Sequence, residues 1–542
     1  MSESRNNSVK YFVTTLIALL FGAILGATYQ QHLADGSGDG FPSFSLQGNE
    51  KLDRILKVVK NNYVDSVNTD SLQDLAIDDI LSNLDPHSVY LPPVQAKNLN
   101  ESLEGNFDGI GIEYFILNDT LFVTHVREEG PSFKAGLLKG DKIVSVNGQL
   151  LGSKDLLTDN IVNKLRGKRG SKVEVSVLRK GLLAPKQFEI VRDRIVVSSI
   201  DAAFIVNKEI GFIKISKFGA NTGEDFIHEL SILKQKGMKS LILDLRGNGG
   251  GYLNAATEIA DQFLPDGKLI VYTQGLHEPR TDYNATSDGI FESGKLVILI
   301  DEGTASASEI VTGAMQDLDR ATIIGRRSFG KGLVQEQFGF GDGSAMNLTI
   351  ARYYTPSGRS IQKSYSKGAD AYREEINNRY ERGEYTSLDS ALTDSAFSVN
   401  HQKFKTSKGK VVYAGGGIMP DIFVPLDTSK LTPFYQKVLR QGLIPDYVYS
   451  KLVNNVNSSA YKNADDFVQR YQVSDLEMKK FITYCKLKKL NVRDQDVQIS
   501  KPFLVNQMKA LLARYYFNEE GFYRVFNQND DFVKKALEAF KN

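Results

Sequence analysis

Residues 296–337 read LVILIDEGTASASEIVTGAMQDLDRATIIGRRSFGKGLVQEQ, and no other stretch restricts the fold as much. Residues 296–300 form a continuous apolar run of strand length, consistent with a buried strand. A turn of small residues follows, and then apolar positions at helical spacing: Ala307, Ile310, Val311, Ala314, Met315 and Leu318. Ser306 therefore stands where a helix begins just beyond a buried strand. Backbone N–H groups left unpaired there, together with the positive end of the helix dipole, suit the steadying of an oxyanion. The place fits a nucleophile. Ser306 and Glu309 also spell S-x-x-E, the capping box, so helix initiation is the competing reading.

Further along, Lys331 lies between Gly330 and Gly332, and Gln335 follows four residues on. Residues i and i+4 share a face in helix or strand, so both side chains can point into one site. The flanking glycines and the LVQEQF alternation favour strand. Serine needs a base to take its proton, and lysine serves once burial or positive potential lowers its pKa. Moving it from about 10.4 to roughly 7–8 costs on the order of 4 kcal/mol in ammonium solvation, which folding must supply. Gln335 would hold the amine in line through its amide.

The runs TASASE and SFGKGLVQ resemble the carboxyl-terminal processing peptidases, or tail-specific proteases, of the S41 family. The likeness continues through LDPHS at 84–88, GIGI at 109–112, DLRGNGGG at 244–251 and YYTPSGRSIQ at 353–362, within about residues 51–424. The resemblance implies Ser306 as nucleophile, Lys331 as general base and Gln335 as the orienting residue. It also implies an oxyanion donor on the Gly-rich turn, assigned to the N–H of Gly249 with Gly250 as an equally exposed alternative. Ala307, just after the serine, supplies the second. A dinucleotide loop is the other reading of that turn, but Tyr252 stands where G-x-G-x-x-G needs glycine, and there is no Walker lysine. Arg246 either orients the loop or pairs with Asp244.

The 542 residues allow about three or four domains. With 66 basic against 65 acidic side chains the net charge is +1, which gives no reason to expect a nucleic-acid partner. The single cysteine, Cys485, excludes an internal disulfide, and its FITYCKL context reads as a packed thiol on a helix face. Neither His228-Glu229 nor His277-Glu278 extends to H-E-x-x-H, so no metal is expected, and no cofactor.

Taken in order, residues 1–30 comprise a tip and a membrane anchor. Residues 11–29 carry no charge and as a helix would span roughly 28 Å, near the thickness of a bilayer's hydrocarbon core. Arg5 and Lys10 precede the run and no Lys or Arg follows before Lys51, which points to an inner-membrane single-pass anchor with the body on the periplasmic side of a cell envelope. A signal peptide cleaved after Leu25-Gly26-Ala27 is the alternative. Residues 31–48 are a polar, Gly-rich linker, and 49–103 an N-terminal helical region with helices over 50–67 and 69–84. His87, beside a proline turn, reads as structural. Residues 104–197 alternate short strands and turns and look like a PDZ domain. Gly109, Ile110, Gly111 and Ile112 stand at its carboxylate-binding loop, where N–H groups can hold a chain-terminal carboxylate while the peptide adds as an edge strand.

Residues 198–425 form the α/β protease core of crotonase-like ββα units that the resemblance implies, with an insertion at 364–416. The insertion reads as ordinary solvated surface, with a cap over the site or a partner contact as alternatives. Residues 426–542 read as a helical C-terminal domain with helices at 433–441, 464–487, 503–516 and 530–540. Docking or oligomerisation is its expected role, and membrane-surface contact the other option. The whole is a multidomain α+β chain. Its expected function is that of a serine endopeptidase with a Ser/Lys dyad that recognises C-terminal tails of envelope proteins through the PDZ domain and cleaves peptide bonds. Expected partners are peptides with exposed C-termini, the membrane, and a homodimer mate or adaptor. A catalytically inactive PDZ scaffold is the alternative, and a histidine base is a third possibility.

Overall fold

A computed structural model describes residues 50–117, 119–152, 156, 158–393 and 402–541. Residues up to Ile77 group as one unit and Asp78–Asn542 as a second. The first contains the helix Glu50–Asn62 and the start of Thr69–Ser82, capped by the Asn68 side chain, which accepts the Asp70 and Ser71 N–H groups. Both helices end earlier than their apolar pattern suggests. The expected anchor at 11–29 lies outside the described residues, among which no helix is long and apolar enough to cross a membrane.

In the second unit, five strands form an antiparallel sheet in the order Ile112–Leu117, Thr120–Val126, Lys142–Val146, Lys172–Leu178, Lys186–Val191, with Gln149–Leu150 paired to the third. Alternation along KVEVSVL sends Val173, Val175 and Val177 into the core and leaves Lys172, Glu174 and Leu178 outside, the period-two pattern of a sheet covered on one face. The chain enters and leaves this domain along a two-stranded ribbon, Asn106–Gly109 against Asp193–Val196.

The mostly parallel sheet is built differently. Its strands run Ile200–Asn207, Ile210–Ile215, Ser240–Asp244, Lys295–Ile300, Thr322–Gly325, Ile422–Phe423, parallel throughout except for the first pair. Leu296, Ile298 and Ile300 face a core shared with the helices Thr222–Gln235, Leu253–Asp261 and Ala307–Asp317, whereas Val297 and Leu299 face the C-terminal helix Asp531–Ala539. A strand covered on both sides has no polar face, which is why LVILI is unbroken. A second sheet, with Leu333–Gly339 and Val89–Leu91 both paired to Ala345–Tyr354, carries the segment beyond Lys331.

The insertion departs from expectation. Its helix Ala369–Glu381 buries Tyr372 and Arg379, and Glu384 and Tyr385 just beyond it are buried too. Solvated surface describes only its outer side, because on its inner side charges enclosed with their partners fix this segment to the core. The C-terminal region is helical as expected, but the 464–487 pattern is two helices, Ala464–Arg470 and Asp475–Leu487, the second capped by Ser474. The long helix Asp494–Phe526 breaks at Phe517 and Asn518. Cys485 is fully buried, and burial pushes its thiol up to about 12, in keeping with a packed role.

These C-terminal helices touch both other parts of the unit. The Phe122 ring of the small sheet stacks at 5.8 Å on Tyr449 and 6.0 Å on Tyr515, and Lys139 Nζ donates to the Tyr515 carbonyl at 2.7 Å. At the other end Asp530 Oδ2 accepts from Arg246 Nη1 at 2.8 Å. Phe122→Ala should lower unfolding free energy by roughly 3 kcal/mol, read as a fall in the urea midpoint. A change at the fully exposed Leu183 should stay within about 0.5 kcal/mol.

Candidate active site

Two turns meet at the carboxyl ends of neighbouring strands. After Ser240–Asp244 comes Arg246-Gly247-Asn248-Gly249-Gly250-Gly251, and after Lys295–Ile300 comes Asp301-Glu302-Gly303-Thr304-Ala305-Ser306. Buried Asn248 stitches them together. Its carbonyl accepts Ala305 N–H at 3.0 Å and Ser308 Oγ at 2.9 Å, while its amide donates to the Ile215 carbonyl at 3.0 Å. Asp301 Oδ1 takes Gly247 N–H at 2.8 Å, and Thr304 Oγ1 donates to the Leu245 carbonyl at 3.0 Å. Of the two roles foreseen for Arg246, the structure shows the pairing with Asp244, which is bidentate, and a further bond to Asp530.

Ser306 has φ 55° and ψ −118°, a left-handed conformation that side chains rarely adopt and that costs of order 1–3 kcal/mol. Such strain at a strand-to-helix turn lifts a hydroxyl clear of the backbone. Gly250, at φ 98°, makes room for it: a Cβ there would lie 2.8 Å from both the Ala305 oxygen and Ser306 Cβ. Gly250 is not the exposed donor anticipated from sequence, since it is buried and its N–H goes to Asn248 Oδ1 at 2.9 Å. Gly249 is exposed, and among the described residues neither the Gly249 nor the Ala307 N–H meets a protein acceptor.

The Lys331 turn is held against the serine turn by one carboxylate. Glu309, fully buried, accepts Ser306 N–H at 2.9 Å, Lys331 N–H at 2.9 Å, Gly330 N–H at 2.8 Å and the Ser328 hydroxyl. The capping interaction is thus present, and its glutamate does more than cap. Burial pushes this carboxyl up to about 7, against four donors that favour the anion. Tyr353 closes the other side, its hydroxyl donating to the carbonyls of Ser306, at 3.1 Å, and Lys331.

A cleft of about 440 Å³ receives Ser306, Ala307, Gly249, Lys331 and Gln335 together, walled by Leu99, Asn100 and Leu103 of the helix Pro93–Glu104. Burial lowers the Lys331 pKa below that of an ordinary lysine, and the carboxylates of Asp85 and Glu309 pull it partly back. Gln335 does not hold the amine here: its Nε2 donates to Thr349 Oγ1 on the neighbouring strand at 3.1 Å.

Sequence reasoning missed the loop at 85–88. Asp85, buried, accepts the N–H groups of His87 and Ser88, at 2.8 and 2.9 Å, and the Ser88 hydroxyl, which in turn accepts Thr349 N–H. His87 Nε2 pairs with Tyr372 Oη at 2.8 Å. Burial, and then the Lys331 charge, lower the His87 pKa to about 4, so a histidine does stand near the lysine, but as a neutral ring and a weak base. The five residues LDPHS show a family likeness and no more; nothing in their local pattern reveals a partner hundreds of positions away.

On the small sheet, Ile112–Leu117 is the terminal strand, with one edge unpaired among the described residues. The carbonyls of Ile110 and Gly111 accept Ser132 and Arg127 N–H at 3.0 Å each, whereas their own N–H groups meet no protein acceptor among the described residues. Gly109 pairs with Asp193, and Gly109, Ile110 and Gly111 are all buried.

Three sequence patterns match the chain: Peptidase family S41 over residues 209–369, PDZ domain over 109–190, and a family of unknown function over 434–518. The Carboxy-terminal-processing protease of Bartonella bacilliformis is 37% identical over 312 residues, 57% of this chain and 71% of that protein. The Carboxy-terminal processing protease CtpB of Bacillus subtilis is 34% identical over 317 residues, 58% of this chain and 65% of CtpB, a little under two thirds of its length. Among solved structures, a photosystem II D1 C-terminal processing protease matches at 28% identity with a TM-score of 0.33, covering 59% of this chain and 85% of that one. The chain belongs to peptidase family S41, with carboxy-terminal processing proteases among its relatives and a PDZ domain ahead of its peptidase core.

Because Glu309 protonates near 7 when folded but near 4.5 when unfolded, the folded chain binds the extra proton between those values. Its contribution to stability is therefore present below about pH 4.5 and lost as pH rises to about 7. Relative to wild type, Glu309→Gln should gain stability across this window, by up to roughly 3 kcal/mol, measured as the difference between urea midpoints at about pH 5 and about pH 8.

Proposed function

We propose that this chain is a serine endopeptidase that binds protein C-termini through its PDZ domain and cleaves peptide bonds with a Ser306/Lys331 dyad, for processing or degradation of envelope proteins. The observation that carries this reading is the convergence of Ser306, Lys331, Gln335, Gly249 and Ala307 on a single cleft. Lys331, as the neutral amine, removes the Ser306 proton as the hydroxyl oxygen attacks a peptide carbonyl. The developing oxyanion accepts the N–H groups of Gly249 and Ala307, donors that no acceptor among the described residues engages and that need not reorganise as charge appears. The ammonium then gives its proton to the leaving amine. Water, deprotonated by the same amine, releases the acyl group and restores the serine. Gln335, across the cleft, orients the amine or the peptide once Thr349 gives up its amide.

A tail enters as an added strand along Ile112–Leu117, with its carboxylate on the Ile110 and Gly111 N–H groups. Residues 11–29 anchor the chain in the inner membrane with the body outside the cytoplasm, as the flanking Arg5 and Lys10 favour.

Ser306→Ala should cut cleavage of a tailed protein by at least about 10⁴-fold while its binding to the tail persists; equal turnover would remove the serine from the mechanism. Wild-type kcat/KM should climb with pH through the depressed Lys331 pKa, because only the neutral amine accepts a proton, and Lys331→Ala should lose both that limb and about 10³-fold in rate. In fractionated cells the full-length chain should stay with inner membranes after carbonate washing; a soluble form beginning near Thr28 would indicate cleavage instead.

A further inference from the structure

The S41 match stops at residue 369, where the insertion helix Ala369–Glu381 begins, so the family pattern accounts neither for this helix nor for the residues just beyond it. That helix lies against the Lys331 turn with one face, Tyr372, Glu375 and Arg379, at the i, i+3 and i+7 positions that line up along a helix. Arg379, fully buried, donates to the carbonyls of Arg327 at 2.7 Å and Ser328 at 3.0 Å, and from Nε to Glu384 at 3.0 Å. Glu384 also takes a bidentate pair of bonds from Arg327, both 2.7 Å. Glu375 accepts from Lys363 Nζ at 3.0 Å. The backbone just ahead of Lys331 is therefore fastened to the insertion by charges that cannot leave without being stranded in a dry interior.

Tyr372 reaches the remaining sides of the turn. Its ring meets Phe329 edge-on at 5.9 Å and His87 at 5.3 Å, and its hydroxyl pairs with His87 Nε2 at 2.8 Å. Gln362 Nε2 donates to that hydroxyl at 3.3 Å, while Gln362 Oε1 accepts the N–H of Gly332 at 2.7 Å. Residues two before and one after the lysine are thus both tied to one phenol. Lys363 Nζ sits over the Phe329 and Tyr372 rings at 4.0 and 4.3 Å, its ammonium spent on these faces and on Glu375.

We propose that Tyr372 is a positioning residue for Lys331: through His87 and Phe329 it closes the water-excluding side of the pocket that holds the amine. This rests on the reading of Lys331 as the base. The ionisable groups around that pocket are Asp85 and His87 on the loop, Glu309 on the serine helix, Tyr353 on the adjoining strand, and Lys363 and Tyr372 from the insertion side. Asp85 and Glu309 favour the ammonium, so depression of the amine's pKa depends on keeping water out, and His87 contributes by being a neutral ring there. Removing the phenol admits water, restores solvation to the ammonium and raises the pH at which the amine is free.

The experiment tracks phosphonylation of Ser306, with loss of fluoride, in the purified full chain by a fluorophosphonate probe from about pH 6 to about pH 11, with folding of each variant checked by circular dichroism. Tyr372→Ala should move the rising limb upward by about one pH unit, costing about 10-fold at neutral pH, with a high-pH plateau near that of wild type. Tyr372→Phe and His87→Gln, milder changes, should move it in the same direction by less. A limb that vanishes in Lys331→Ala yet stays at the wild-type pH in all three variants, whatever their plateaus, overturns the inference alone. A limb that survives in Lys331→Ala removes the base assignment and this inference with it.

Discussion

One buried carboxylate sets the geometry on which everything else depends. Glu309 sits one turn into the serine helix, yet none of its four donors comes from that helix's interior: the Ser306 N–H lies at its start, and the N–H groups of Gly330 and Lys331 and the Ser328 hydroxyl belong to a separate turn. A charge-assisted acceptor shared this way is directional and, away from water, strong. It ties two separate turns into a single body. Tyr353 repeats the link through the carbonyls of the same two residues, so Ser306 and Lys331 are joined through both their donors and their acceptors.

That body can exist only because the sheet beneath it is enclosed. Parallel strands deliver their carboxyl ends to one edge, where loops gather, and a helix beginning there points its unpaired N–H groups at the same spot. Strain at Ser306 is tolerated because Asn248, Asp301 and Thr304 over-determine the surrounding backbone. The insertion supplies a second layer, so that the lysine is shielded by segments remote from it in sequence.

Much of this is legible in the amino-acid order, and the reasons differ by element. The unbroken LVILI run announces a strand covered twice, and LVQEQF announces a strand beyond the lysine; both depend on local periodicity alone. The S-x-x-E pair is visible, but its glutamate reads as a cap because the pattern carries no sign of what else approaches that carboxylate. Choosing between Gly249 and Gly250 requires knowing where Asn248 points. His87, Asp85 and Tyr372 are beyond reach for a related reason: their roles are created by contacts between segments about 285 positions apart. The insertion looks like solvated surface because composition counts charges without showing that Arg379 and Arg327 pair inside with Glu384 and Glu375. The helix boundaries in the tail slip at Ser474, where a cap interrupts an otherwise apolar rhythm, and at the start of Asp494–Phe526, ahead of the expected 503, while the backbone break at Phe517–Asn518 falls where the expected 503–516 helix ends.

The tail helices have a mechanical implication. They share an apolar interior with Phe122 of the PDZ sheet, while their last segment lies on the back of the catalytic sheet and reaches Arg246 at the root of the Gly-rich turn. The PDZ domain is otherwise connected by its paired ribbon and neighbouring contacts such as Arg166 to Glu101. Any swing of the peptide reader must therefore either peel aromatic faces from Tyr449 and Tyr515 or drag the whole tail with it. In the second case the displacement would arrive at Asp530 as a pull on Arg246 at the root of the Gly-rich turn, so the tail is a mechanical tie between the PDZ sheet and that turn.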